Sequence, residues 1–291
     1  MDPKQKCVTC FAPGHITGFF TIHENDDPAF KGTTGCGIVL NRGVTAKVCV
    51  GSDITGTEIF LNGSRKQSPV TSHLVASLSC EPVRIESYAD MPVGCGFGAS
   101  GAGALATTYC LNDLFSLGLT QNEIVEAAHI AEVVGGGGLG DVEAQAHGGA
   151  VIRKRPAPIT KGGLLDRIAS PSFSVHCLAL GKLSTKKTLA NPSVTGKINI
   201  AGKTAMKNLL QSPTIEEFMR QSRSFSFELG LLSKRAEDII EAVESVGGFA
   251  SQAMLGDAVF AVAGPECTDT AIREVMSEFG TVFSSTVAGT Y

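Results

Sequence analysis

Apolar and polar residues alternate through the first third of the chain, the period of half-buried strands. Lys6–Phe11 reads as a short strand ended by Ala12-Pro13-Gly14, and His15–His23 as a turn into a buried, mostly apolar strand. Further strands are expected at Ile38–Leu40, Thr45–Val50 and Val83–Tyr88. Turns at Asn25–Pro28, Asn41-Arg42-Gly43 and Asn62-Gly63 would fold residues up to 88 into a mixed, largely antiparallel sheet. From residue 104 the period changes to that of a helix. Leu105, Thr108, Leu111 and Phe115 share one face, with Gly118 as the stop. Thr120-Gln121-Asn122-Glu123 has the form of a capping box for a second helix, whose apolar face is Ile124, Ala127, Ala128 and Ala131.

Pro156-Ala157-Pro158 and Lys161-Gly162-Gly163 mark a connector. Ser170-Pro171 is the expected boundary between an N-terminal domain, 1–170, and a C-terminal domain, 171–291. The second half opens with a strand, Phe173–Leu180, followed by helical patterns near 196–211, 214–230 and 234–246, the second with a capping box at Thr214–Glu217. An apolar strand, Ala258–Ala263, a helix near 268–279 and a last strand, Thr281–Val287, complete an α+β chain.

Composition narrows the function classes. The 291 residues are 43% hydrophobic with a net charge of −4, so neither a basic surplus for nucleic acid nor an acidic excess for disorder is present. Tryptophan is absent and tyrosine occurs three times, which disfavours base-stacking platforms. The N-terminal residues lack the apolar run of a signal peptide, and no stretch of about 18 apolar residues occurs, so a cytoplasmic protein without membrane contact is expected. The nine scattered cysteines are then expected to be reduced and structural. Cys7-Val8-Thr9-Cys10 has zinc spacing, but no second pair follows and a strand would turn the two to opposite faces.

The candidate chemistry begins at Pro92-Val93-Gly94-Cys95-Gly96-Phe97-Gly98-Ala99-Ser100-Gly101-Ala102-Gly103, which runs straight into helix. A glycine-rich turn opening a helix offers unpaired N–H groups to an anion, phosphate above all. The plain alternative is a tight turn with close backbone packing. A dinucleotide fingerprint would need a strand ending in an acidic residue about 20 residues on, and none is present. Lys31–Gly37 is a second glycine-rich loop, whose Thr33 and Thr34 line a pocket or bond their own backbone. His129 and Glu132 lie three apart on the second helix and are either surface or site. The run Gly135–Gly140, with five glycines before Asp141, is costly in entropy unless the backbone must approach something closely.

The loop at 92–103 resembles the second motif of the GHMP kinases, usually Pro-x-Gly-x-Gly-Leu-Gly-Ser-Ser-Ala; Phe97, Ala99 and Gly101 are departures from it. Ala12-Pro13-Gly14 resembles the opening of the family's first motif, but the usual Arg-Asn-Glu-His-Asp continuation is replaced by His-Ile-Thr-Gly-Phe-Phe, as in its archaeal pantoate kinase branch. Residues 247–257 stand where the third motif would be, with few of its glycines. The resemblance implies a ribosomal-S5-like mixed-sheet domain followed by a ferredoxin-like domain, with ATP and acceptor between them. It implies that Pro92, Gly94, Gly96, Gly98, Ala99, Ser100, Gly101 and Ala102 hold the ATP phosphates, and that Ser100 and Glu132 hold Mg²⁺. It makes Asp141 the residue that faces the acceptor hydroxyl. For the anionic acceptor pantoate, on the way to coenzyme A, Arg153 is expected at the carboxylate with His15, Thr33 and His129 nearby. The alternative for Arg153 is a surface position continuous with Lys154 and Arg155. Other acceptors such as shikimate or homoserine, and a non-catalytic nucleotide-binding protein on the same fold, remain open, as does a homodimer.

Overall fold

A computed structural model describes residues 5–79, 81–181 and 192–287; Cys80 lies outside them. Strands β1 (Gln5–His23) and β2 (Gly32–Gly51) pair antiparallel from Gln5 opposite Gly51 to His23 opposite Gly32. The sequence suggested breaks at Ala12-Pro13-Gly14 and Asn41-Arg42-Gly43; the strands instead run through both, with ladder irregularities at Pro13–His15 and Thr17–Phe19. Pro13 is tolerated because a bulge asks for no ladder N–H. Lys31–Gly37 is likewise not a loop: Gly35 and Gly37 are ladder residues paired to strands on both sides.

β2 is the spine of the larger sheet. Its second half pairs with β5 (Arg84–Ala89) and its first half with β6 (Ala150–Arg155), both antiparallel. Beyond β5 lie β3 (Glu58–Leu61), parallel to it, and β4 (Ser64–Arg65); beyond β6 lies β7 (Leu164–Ile168), in a stretch that sequence alone assigned to a connector. The expected Asn62-Gly63 turn joins β3 to β4, both residues having positive φ. Helices α1 (Pro69–Leu78), α2 (Ala99–Phe115), α3 (Gln121–Gly135) and α4 (Asp141–His147) complete this half. The capping box at Thr120–Glu123 forms in both directions. The cap of α2 is Ser116, in the left-handed region, rather than Gly118.

The second sheet has the order β11-β8-β10-β9, with all neighbours antiparallel, as a ferredoxin-like unit requires. Its strands are β8 (Phe173–Gly181), β9 (Phe249–Gln252), β10 (Asp257–Val262) and β11 (Val282–Val287). Helices α5 (Pro192–Gln211), α6 (Ile215–Leu229), α7 (Lys234–Ser245) and α8 (Asp269–Ser277) accompany it. Only half of the expected box forms at α6, where the Thr214 side chain accepts from Glu217 N–H.

Ile239, Ile240, Val243, Ile272 and Met276 pack one face of this sheet. The other face merges with the N-terminal half: Phe19 of β1 lies 6.3 Å from Phe218 and 6.4 Å from Phe225, and Phe218 lies 6.2 Å from Phe260. Truncating a buried phenylalanine costs about 3–5 kcal/mol. Phe218→Ala is therefore expected to destabilise the whole molecule by that amount in a single urea transition followed by circular dichroism. Two separate transitions would show that the halves do not share this core.

The expectation that all cysteines are reduced is corrected at one pair. Cys7 and Cys49 are directly opposed across β1 and β2, with Cα atoms 4.1 Å apart, and form a disulfide. An opposed pair of this kind is near enough for the two sulfurs to meet. Among the described residues no cluster of His, Cys, Asp and Glu has a metal-site arrangement, and no helix is long and apolar enough to cross a membrane.

Candidate active site

A cleft of ≈ 520 Å³ opens where β1, β2, α2, the 135–140 loop and the turn at 253–256 meet. Its apolar end, lined by Ile59, Phe60, Leu61 and Val70 beside Lys66 and Ser68, was not foreseen from sequence. The signal was there: Ser68 caps α1 and Pro69 takes its first turn, the usual start of a helix.

The glycine-rich loop forms the middle of the cleft. Gly94, Gly96 and Gly98 have φ of 82°, 93° and 66°, the region that side chains resist. Gly98 is the N-cap of α2 and supplies no side-chain acceptor, so the first-turn N–H groups are left for an external anion. Helix geometry begins earlier than the sequence suggested, at Ala99, and this sorts the expected phosphate residues. Gly94, Gly96, Gly98, Ala99 and Ser100 line the cleft. Pro92, Gly101 and Ala102 do not: the helix turns Gly101 against Gln145 and Asp141 and buries Ala102, while Pro92 lies on the outer side of the loop. The atypical third motif closes on the same loop; a Cβ on Gly256 would sit 2.0 Å from the Cys95 carbonyl oxygen.

Below the loop, Ser100 Oγ donates to Glu132 Oε1 at 2.5 Å, and Gly138 N–H donates to Glu132 Oε2 at 2.6 Å. Glu132 is buried, not on the surface; burial pushes its carboxyl up to about 7, against the opposing pull of those two hydrogen bonds. The glycine run now has a reason. A Cβ would lie 2.5 Å from Val70 at Gly135, 2.5 Å from Glu132 Oε1 at Gly137, 2.8 Å from Asp141 Oδ2 at Gly138 and 2.2 Å from Thr33 Oγ1 at Gly140. Side chains at 137, 138 and 140 would land on the polar groups of the site.

Asp141 is the first residue of α4 and lines the cleft with its side chain 27% exposed. His15 Nδ1 lies 2.7 Å from its Oδ1, and the Thr17 hydroxyl donates to the same oxygen at 3.5 Å. Burial alone would raise the Asp141 carboxyl, but the His15 hydrogen bond and the nearby Arg153 charge hold it below the usual range. Burial lowers His15, so its neutral ring donates from Nδ1 to an ionised carboxylate. Gly37 makes room for that ring, since a Cβ there would sit 2.2 Å from His15 Nε2.

The two histidines expected beside the substrate stand one layer behind it. His15 is fully buried against Asp141. His129 is also buried, with Nε2 donating to the Lys31 carbonyl at 2.9 Å and Nδ1 2.5 Å from Glu143 Oε1. Burial would lower His129, but the charge of Glu143 and its hydrogen bond outweigh it and raise the ring. Neither histidine lines the cleft. Thr33 does, with its hydroxyl 3.4 Å from the Leu139 carbonyl.

Arg153 is the group whose surroundings demand a ligand. It is 2% exposed, unlike its exposed neighbours Lys154 and Arg155, and it lines the cleft. Its Nε and Nη1 have no hydrogen-bond partner. Burial lowers its pKa, while the charges of Asp141 and Glu143 support its cationic form. A buried guanidinium with unfilled donors is costly unless an anion completes it, and a carboxylate fits the fork.

Comparison with known proteins shows the family. The family model "GHMP kinases N terminal domain" matches residues 67–149, and "GHMP kinases C terminal" matches 205–289. A pantoate kinase from Methanospirillum hungatei is 31% identical, over 97% of this chain and 94% of its own. One from Methanocaldococcus jannaschii is 34% identical, over 90% of this chain and 95% of its own. A solved structure described as a "Phosphotransferase related to CoA biosynthesis pathway" superimposes with a TM-score of 0.87 at 28% identity, covering 98% of this chain and 97% of that one. The chain belongs to the GHMP kinases.

Proposed function

We infer that this protein transfers the γ-phosphoryl group of ATP to the primary hydroxyl of (R)-pantoate, giving 4-phosphopantoate for coenzyme A synthesis. The observation that carries the acceptor is Arg153, a buried guanidinium with open donors in the cleft that also holds Asp141 and the glycine-rich loop. The full-length likeness to pantoate kinases supports it. Pantoate offers a carboxylate to Arg153 at one end and a hydroxymethyl group to Asp141 at the other.

Phosphoryl transfer asks mainly for positioning and charge stabilisation. The N–H groups at the start of α2 hold the phosphates. Asp141, kept ionised by His15, orients the acceptor hydroxyl and takes its proton. Ser100 Oγ and the Glu132 carboxylate are oxygen donors of the kind Mg²⁺ accepts, held together at 2.5 Å, and a cation would relieve the cost of burying that carboxylate. Mg²⁺ bound there would neutralise charge on the transferring group. Ser100→Ala and Glu132→Gln are each expected to raise the Mg²⁺ concentration needed for half-maximal rate. Unchanged metal dependence in both would remove this pair from the metal site.

A domain boundary at 170/171, a cytoplasmic location and an archaeal source complete the proposal; the organisms of the pantoate kinase relatives support the last of these.

The reading is tested by giving the enzyme Mg-ATP with pantoate or with pantothenate, whose carboxylate has become an amide. ADP release with pantoate alone is expected. Comparable turnover on both would contradict carboxylate recognition by Arg153.

A further inference from the structure

The acceptor end of the cleft has a wall that phosphoryl transfer itself does not use. Phe20 on β1 is paired with Gly35 on β2, and Gly35 with Arg153 on β6, so the three form one row across the sheet. Directly opposed residues in antiparallel strands point to the same face, and neighbouring strands lie about 4.8 Å apart. Phe20 and Arg153 thus flank Gly35 at roughly 10 Å, two strand spacings. Gly35 carries no side chain, and a Cβ there would sit 2.2 Å from the Phe19 carbonyl oxygen. Only glycine fits between them there, and the Phe20 ring and the Arg153 guanidinium on either side of it both line the cleft. The Phe20 ring is held in place by Phe225, 5.8 Å away.

The turn at 253–256 extends the apolar side. Met254 N–H donates to the Thr17 carbonyl at 3.0 Å, and Gly256 N–H to the Ala253 carbonyl at 3.1 Å, so Met254 and Leu255 are fixed beside the residue that touches Asp141. Both line the cleft. Leu255 has a φ of 61°, a conformation that favours glycine and that a bulky residue rarely keeps. Glycine would serve the turn better; a leucine there adds an apolar side chain at the cleft.

We propose that Phe20, Met254 and Leu255 set acceptor specificity by reading a branched hydrocarbon segment between the phosphorylated hydroxyl and the carboxylate. This rests on the pantoate reading above and adds what that reading leaves open, how a branched acid is told from an unbranched one. In pantoate a carbon bearing two methyl groups lies between the hydroxymethyl group and the carbon next to the carboxylate. With those two ends at Asp141 and Arg153, the methyls meet the wall. The same acid without them, 2,4-dihydroxybutanoate, leaves the wall facing a void.

The test is the ratio of kcat/KM for pantoate to that for 2,4-dihydroxybutanoate, measured by ADP release at saturating Mg-ATP. One carbon in an apolar pocket discriminates about 10–200-fold, so a wild-type ratio of at least tenfold is expected. Leu255→Gly, whose backbone suits the turn, and Phe20→Leu, which keeps an apolar core residue, are expected to bring the ratio down at least threefold, mainly through the KM for pantoate. A wild-type enzyme that uses both acids equally overturns the proposal and leaves the pantoate reading standing. So does a ratio undiminished in both variants. A wild-type enzyme that phosphorylates neither acid overturns the pantoate reading and the proposal with it.

Discussion

Replacing Asp141 by asparagine is expected to lower kcat by about 10²–10⁴-fold, the usual contribution of a positioned general base, while ATP still binds. The side chain keeps its size but cannot take the proton of the acceptor hydroxyl. Its hydrogen bonding also fails in either orientation. If the amide NH₂ faces His15, it meets Nδ1–H, a second donor; if the carbonyl faces His15, the NH₂ is turned towards the acceptor hydroxyl. Because His15 and Arg153 hold the carboxyl below its ordinary value, it is ionised throughout the neutral range, and no loss of rate near neutrality is expected from Asp141 itself. Calorimetry with Mg-ATP is the check. Affinity lost in parallel with kcat would make Asp141 a metal ligand instead of a base.

The second large effect is expected at Arg153. A hydrogen bond to a charged group contributes about 1.5–3 kcal/mol, and each 1.4 kcal/mol is tenfold in binding. Arg153→Ala should therefore raise the KM for pantoate at least tenfold and leave the KM for ATP nearly unchanged. Arg153→Lys should recover only part, since an ammonium keeps the charge and loses the fork. Two other cations of this half are already engaged. Lys31 pairs with Glu24 at 2.6 Å, and Arg42 donates to the Ser284 and Asp90 carbonyls. An unaltered KM for pantoate in the alanine variant would assign the acceptor carboxylate to Lys66 or to a backbone site of the cleft.

The helices and the site were more legible in the sequence than the strands. Local rules carried the helices: Thr120 and Glu123 form their box, and Asn62-Gly63 makes its turn. Proline and glycine are local stop signals, so the sequence suggests breaks in β1 and β2 that the fold does not make. Continuity there is decided by pairing along β2, which no local pattern reveals. The same long-range register opposes Cys7 to Cys49, residues 42 apart in sequence. Ser100, Glu132 and Asp141 are expected at one site from the resemblance to the GHMP kinases and Arg153 from the chemistry of an anionic acceptor, and the fold brings all four to one cleft. The histidines were drawn to the substrate because sequence shows which residues gather at a site but not how deep each lies. His15 and His129 sit behind the polar groups, against Asp141 and Glu143. The glycines of 135–140 were read as a close approach without a partner, which only the positions of Val70, Glu132, Asp141 and Thr33 could supply.

The central claim is that one cleft joins ATP to a small hydroxy acid through Asp141 and Arg153. The most direct test is ADP release by the purified protein with Mg-ATP against pantoate, shikimate, homoserine and mevalonate in parallel. The prediction is turnover with pantoate far above the other three, with the product carrying phosphate on its primary hydroxyl. Turnover with another acceptor and not with pantoate, or ATP binding without transfer to any of them, would contradict it.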